Sequence, residues 1–131
     1  AVYPGVVEGL VALQAAGLKM ACLTNKPLAF AQALLRAKSL DGHFGWVFGG
    51  DSFERKKPDP MPLLGTCAAM GVVPERALMV GDSQNDARAA RAAGCPAALV
   101  SYGYNHGEPI AAVPHDLLVD SLAELAGRLL V

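Results

Sequence analysis

Net charge, paired cysteines, long apolar runs and internal repeats are all missing from this chain, and each absence removes a class of function. Eleven Lys and Arg stand against twelve Asp and Glu, leaving −1 at pH 7. Such a balance gives no general pull toward nucleic acid or an anionic membrane. Cys22, Cys67 and Cys95 are odd in number and form no CxxC or Cys/His cluster. Each lies in an apolar context, which predicts buried free thiols in a reducing cytoplasm rather than a disulfide framework. Charged residues, Pro or Gly interrupt every apolar stretch well short of the ~18 residues a membrane span needs. No secretory leader is visible. The chain opens Ala1-Val2-Tyr3-Pro4 without a methionine, so it reads as a processed product or a fragment.

What is present is an apolar chain of one domain's length. Its 131 residues are 53% hydrophobic, with a mean hydropathy of +0.32. That is enough to bury a core, and it is the composition of a parallel sheet covered on both faces. Helix-like and strand-like segments alternate. Val6, Leu10 and Leu13 begin a helix that Gly17 can end. Lys19–Thr24 reads as a strand. Pro27 suits a first helical position ahead of Phe30, Leu34 and Leu35. Trp46–Phe48 is a second strand, closed by Gly49-Gly50. Asp59 can cap a helix containing Pro60 and Pro62 and ending at Gly71. Ala77–Val80 is a third strand, followed by an Ala-rich helix from Gln84 to Gly94. Ala97–Val100 and Leu117–Val119 are further strands, and Ser121-Leu-Ala-Glu124 is a capping box opening the last helix. The pattern predicts an α/β fold, a Rossmann-like three-layer sandwich with a mainly parallel sheet.

Ligands in such folds bind beyond the carboxyl ends of the strands, and three polar clusters are expected there. In Gly81-Asp82-Ser83-Gln84-Asn85-Asp86, two carboxylates stand four residues apart where a strand gives way to a helix. Mg²⁺ takes one or two protein carboxylates, with water and phosphate oxygens completing its shell. Asp82 can point into the crevice, and Asp86, one turn on, can hold a metal-bound water. Ser83 and Asp86 also fit a capping pattern, which would stabilise a helix start without any metal. At Thr24-Asn25 a hydroxyl and backbone amides can grip phosphoryl oxygens, or simply cap the next helix. Lys57, in Arg55-Lys56-Lys57-Pro58-Asp59-Pro60, is confined by the prolines. A fixed ammonium there can neutralise a carboxylate and a transferring phosphoryl group; a solvated basic turn is the alternative, and it suits Arg55 and Lys56. His106, in a Gly/Tyr/Asn loop, reads as a surface histidine or as a contact to a substrate carboxylate. His43 and His115 read as surface residues.

With Leu23-Thr24-Asn25, Lys57-Pro58-Asp59-Pro60 and Gly81-Asp82-Ser83-Gln84-Asn85-Asp86 in this order, the whole chain resembles the haloacid dehalogenase-like hydrolases. Gly94-Cys95-Pro96, Tyr102–Gly107 and Tyr3-Pro4-Gly5-Val6 extend the likeness. The resemblance implies a Mg²⁺-dependent phosphate monoester hydrolase acting on a small phosphorylated metabolite. It implies that Thr24 and Asn25 bind the phosphoryl group, that Lys57 stabilises the nucleophile and the phosphoryl charge, that Asp82 binds the metal, and that Asp86 supports it. In the family an aspartate attacks the phosphorus and water then hydrolyses the aspartyl-phosphate. That aspartate belongs to an Asp-x-Asp-Gly-Thr strand followed by a helical cap, and neither occurs here. Before Lys57 the only aspartates are Asp41 and Asp51.

The reading is therefore a single, incomplete hydrolase core over 1–131, lacking the family's first central strand and its cap. A non-catalytic regulatory or interaction module that keeps the fold is the alternative. A phosphoacceptor using Asp82 itself is a third reading, opposed by the match of Asp82 to a metal-ligand position. In the family the missing strand lies between the Thr24 strand and the Asp82 strand. Its loss would leave backbone edges unpaired. The two strands are expected to close up, or a second chain or another segment to fill the place.

Overall fold

A computed structural model of the chain describes residues 5–101 and 115–129. These form two compact units, one from the residues up to Ser52 with the last helix, the other from those between Phe53 and Asp120.

In the first unit, α1 (Val6–Ala15) leads to β1 (Ala21–Leu23), α2 (Leu28–Ala37), a 3₁₀ turn at Asp41–His43 and β2 (Trp46–Phe48); α5 (Leu122–Leu129) completes it. β1 and β2 run parallel, with Cys22 opposite Val47. α5 packs on α1. The expected helix start at Ser121 is realised, because the Ser121 hydroxyl accepts the Glu124 N–H at 3.0 Å. Glu124 also meets Arg128 one turn on, at 3.0 Å. Pro27 stands one place before α2, as its cap residue rather than its first helical residue.

The second unit contains α3 (Met61–Met70), a 3₁₀ turn at Pro74–Arg76, β3 (Met79–Gly81), α4 (Gln84–Ala93), β4 (Ala97–Val100) and β5 (Leu117–Val119). The order β3-β4-β5 is parallel throughout. β4 is central and every residue in it is buried, which is why it reads as an unbroken apolar run without alternation. Ala87, Ala89, Ala90 and Ala93 are the buried face of α4; Ala87 packs with Leu99 and Leu118 in the core. The Asp59 carboxylate accepts the Met61 N–H at 2.8 Å and so caps α3, as its position suggested.

Several strands are shorter than the apolar pattern implies. The 3₁₀ turn carries the Ala77 N–H to Pro74 O, so β3 begins at Met79 rather than Ala77. Among the described residues the strands form two separate ladders. No helix among the described residues is long and apolar enough to cross a membrane.

Leu99 is wholly buried on the central strand. Leu99→Ala is expected to lower the unfolding free energy by roughly 2–5 kcal/mol, the usual cost of a buried leucine truncated to alanine. Urea denaturation monitored by far-UV circular dichroism measures the change.

Candidate functional site

Three of the five sequence-marked site residues meet in the second unit. Asp82 directly follows β3, and α4 begins two residues later. Lys57 reaches in from the segment before α3 and places its Nζ 2.7 Å from Asp86 Oδ1, with the two side chains only 9% and 8% exposed. The other Asp86 oxygen, Oδ2, accepts the Asp82 N–H at 3.0 Å and faces Ser83 Oγ at 3.4 Å. Asp86 thus ties a lysine far away in sequence to the backbone at the end of β3. The capping box read from Ser83 and Asp86 does not form: Ser83 makes no side-chain cap bond. The Asp86 carboxylate goes to the ammonium and the Asp82 amide instead, since charge-assisted bonds outweigh an ordinary cap.

Gly81 permits this arrangement. A Cβ at that position would fall on the Asp86 carboxylate and Cβ, so α4 can start this close to β3 only with hydrogen at residue 81. The basic turn divides as its chemistry suggests. Arg55 and Lys56 are exposed, Arg55 has only a loose 3.8 Å contact with Asp59, and the lysine next to proline turns inward.

Asp82 is the electrostatically exposed member of the group. Burial pushes its carboxyl above the ordinary value of 3.8. The charge of Asp86 and a hydrogen bond with it push the same way, and Lys57 only partly offsets them. A half-buried carboxylate with insufficient positive charge around it suits a divalent cation. Among the described residues no group of three or more His, Cys, Asp or Glu side chains could form an all-protein metal cage.

Thr24 and Asn25 lie in the first unit, directly after β1. The Thr24 N–H continues the ladder to Phe48 O at 3.1 Å, and its Oγ1 accepts the Lys26 N–H at 3.2 Å. A hydroxyl engaged as acceptor keeps its single proton for donation. Sequence reasoning set Asp51 at the head of the polar cluster Asp51 to Lys57 without a role of its own; its Oδ1 accepts the Leu28 N–H at 2.8 Å and caps α2. Its place after Gly49-Gly50 was the only signal, and that marked a strand end without marking a partner 23 residues away.

The remaining expectations divide. His106, the Tyr102–Gly107 loop and Tyr3-Pro4 lie outside the described residues. His43 is half-buried and its Nδ1 lies 2.7 Å from Gln14 Oε1, so it has a partner that its sequence neighbours did not reveal. None of the three cysteines is in a disulfide; Cys67 and Cys95 are buried and Cys22 partly so. Burial, followed by the neighbouring Cys67, pushes the Cys95 thiol up to about 11, which makes it a poor nucleophile at neutral pH.

Two outcomes follow from this geometry. Lys57→Met leaves Asp86 buried without its ammonium and is expected to cost roughly 3–5 kcal/mol in urea denaturation, with part recovered in Lys57→Met/Asp86→Asn. Asp82→Asn should act in the opposite direction in metal-free protein. The folded state holds the Asp82 proton more tightly than the unfolded chain does, so ionisation of Asp82 favours unfolding. That penalty is absent below the ordinary value of 3.8 and complete above the raised folded value. Asp82→Asn is therefore expected to raise the unfolding midpoint at neutral pH, with the advantage vanishing as pH falls through that window. Thermal denaturation of both proteins across pH checks it.

Comparison with known proteins agrees with the geometry. A family model described as haloacid dehalogenase-like hydrolase matches residues 1–94. A phosphoglycolate phosphatase of Thiobacillus denitrificans is 50% identical over 124 residues, which cover 95% of this chain and 55% of that protein. A crystal structure described as a predicted phosphoglycolate phosphatase from Haemophilus somnus 129PT superposes with a TM-score of 0.94 at 40% identity, over 98% of this chain and 57% of that one. CbbY from Rhodobacter sphaeroides, solved in complex with phosphate, gives a TM-score of 0.81 at 33% identity, over 93% of this chain and 55% of the other. The chain thus spans about half the length of the relatives it matches. On the family match, the three ordered motifs and the parallel α/β fold that carries them, the chain belongs to the haloacid dehalogenase-like hydrolases.

Proposed function

We propose that the chain is the C-terminal core of a Mg²⁺-dependent phosphate monoester hydrolase whose substrate is 2-phosphoglycolate. The observation that carries this reading is the sealed Lys57–Asp86 pair beside the cation-deficient Asp82 carboxylate, at the carboxyl end of β3. The choice of substrate rests on the phosphoglycolate phosphatases among the relatives.

Each residue has a distinct task. The Thr24 hydroxyl donates to a phosphoryl oxygen, and the Asn25 backbone binds the same group. The Lys57 ammonium, held at a fixed place by Asp86, neutralises phosphoryl charge and that of an attacking carboxylate. Asp82 holds Mg²⁺ through its carboxylate, while Asp86 supports it from behind by bonding the Asp82 amide. When bound, the metal acts as a Lewis acid on a phosphoryl oxygen and offsets its negative charge.

These residues bind and polarise a phosphate ester; none is placed to attack it. Asp41 lies exposed in a 3₁₀ turn, and the Asp51 carboxylate is engaged at α2. The nucleophile and its acid/base partner are supplied from outside these 131 residues. A small phosphorylated metabolite as partner, and a second copy or a preceding segment completing the sheet, belong to the same reading. So does a cytoplasmic location, supported by three cysteines outside any disulfide.

The purified 131-residue protein is expected to show no Mg²⁺-dependent release of phosphate from 2-phosphoglycolate. The same protein extended by the gene segment encoding the residues before Ala1 is expected to release it. Turnover by the 131-residue protein would refute the division of labour. An upstream segment without Asp-x-Asp-Gly-Thr, or an inactive extended protein, would favour a non-catalytic module instead.

A further inference from the structure

The turn carrying Thr24 and Asn25 is held by a second turn, Gly49–Ser52, that follows β2. Gly50 N–H donates to Lys26 O at 2.7 Å, and Asp51 Oδ1 accepts the Leu28 N–H at 2.8 Å. The second turn is closed on itself. Gly49 N–H donates to Ser52 Oγ at 2.8 Å, and Ser52 N–H returns to Gly49 O at 3.1 Å. The two turns are in close contact: a Cβ at Gly49 would fall on the Leu28 backbone and lie 2.7 Å from Lys26 O. α2 cannot cap itself, because its cap residue is Pro27, which makes no side-chain cap bond. The missing acceptor comes from a residue on the next strand's loop.

We propose that Asp51 is a positioning residue for phosphoryl binding. By capping α2 from the end of β2, it fixes the turn that presents the Thr24 hydroxyl and the Asn25 backbone. The proposal rests on the reading of Thr24 and Asn25 as phosphoryl-binding residues. Two consequences follow from the carboxylate being where it is. Its oxygen occupies the Leu28 N–H, so a phosphoryl group is met by Thr24 and Asn25 and not by the first amide of α2. Its negative charge also opposes an incoming anion, so the geometry helps phosphate binding while the charge limits it.

Asparagine and alanine separate these effects. Asp51→Asn keeps an acceptor for the Leu28 N–H and removes the charge; Asp51→Ala removes both. With ¹⁵N-labelled proteins free of phosphate, Asp51→Ala is expected to shift the amide resonances of Thr24, Asn25 and Lys26. It should also speed Leu28 amide exchange about fivefold, the loss of a typical cap expressed as an opening equilibrium. Asp51→Asn is expected to leave those resonances near their wild-type positions. In titration with inorganic phosphate, the Thr24 and Asn25 amides should respond in wild type and at least as strongly in Asp51→Asn. In Asp51→Ala the affinity should be about fivefold weaker than in Asp51→Asn, which lacks the charge equally, by the same cap argument.

Unchanged Thr24–Lys26 amides in Asp51→Ala, or an Asp51→Asn protein that behaves like Asp51→Ala, would overturn the proposal. Ser52→Ala, which takes the partner from Gly49 N–H, is expected to shift the same amides from the other end of the turn. It serves as the test if Asp51→Ala does not fold, and unchanged Thr24–Lys26 amides in that variant would overturn the proposal equally. Wild-type amides that ignore phosphate, with the phosphate-free spectra as expected, would overturn the phosphoryl-binding reading and establish the clamp as structural only.

Discussion

Lys57 and Asp86 form an ion pair at 2.7 Å with both side chains almost sealed from water, and the local structure around β3 depends on it. A lone charge of either sign at that depth would be costly, because burial in a low-dielectric interior removes hydration that only a partner can replace. The pair therefore requires both ends to be present and in register. One end is delivered by a turn that the Asp59 N–H closes on Lys56 O, the other by the first turn of α4. Asp86 does more than match charge. Its second oxygen takes the Asp82 amide, so the lysine, the strand end and the helix start are joined through one carboxylate. Gly81 provides the space for that carboxylate.

Asp82 is left as the carboxylate with unmet electrostatic demand. It lies beside Asp86, whose charge is directed mainly at Lys57, and its own burial raises its proton affinity. The same arrangement that makes Lys57 rigid leaves the Asp82 carboxylate only partly compensated. On the proposed reading, in which Asp82 binds the metal, stability and function pull in opposite directions at this residue.

The turn after β1 is organised by a comparable device. Its helix begins behind a proline that supplies no cap bond, and an aspartate 23 residues later provides the acceptor. In the first unit the carboxylate that settles the helix start comes from the next strand's loop; in the second it belongs to the helix itself and bonds back to the end of the preceding strand. Buried amides at a helix N-terminus need acceptors, and a loop from a neighbouring strand or segment is well placed to offer one.

Much of the fold was legible in the chain itself. Unbroken apolar runs of three or four residues, separated by helix-period segments with Pro, Gly and Ser at their ends, are dictated by local sterics and by burial on both faces of a sheet. Ala97–Val100 and the Ala-rich face of α4 show this directly. Lys57, Asp82 and Asp86 could be picked out because residue type, spacing and position at a strand end are all local properties. Their partnership could not, since the pairing of Lys57 with Asp86 spans 29 residues. The sequence around Ser83 also fitted a capping pattern. The roles of Asp51 and Gly49 were invisible for the same reason. Local chemistry determined which elements form and which side chains carry charge at their ends. Which carboxylate meets which donor was decided only when separate segments packed together, because hydrogen bonds and ion pairs depend on distances that no spacing along the chain specifies.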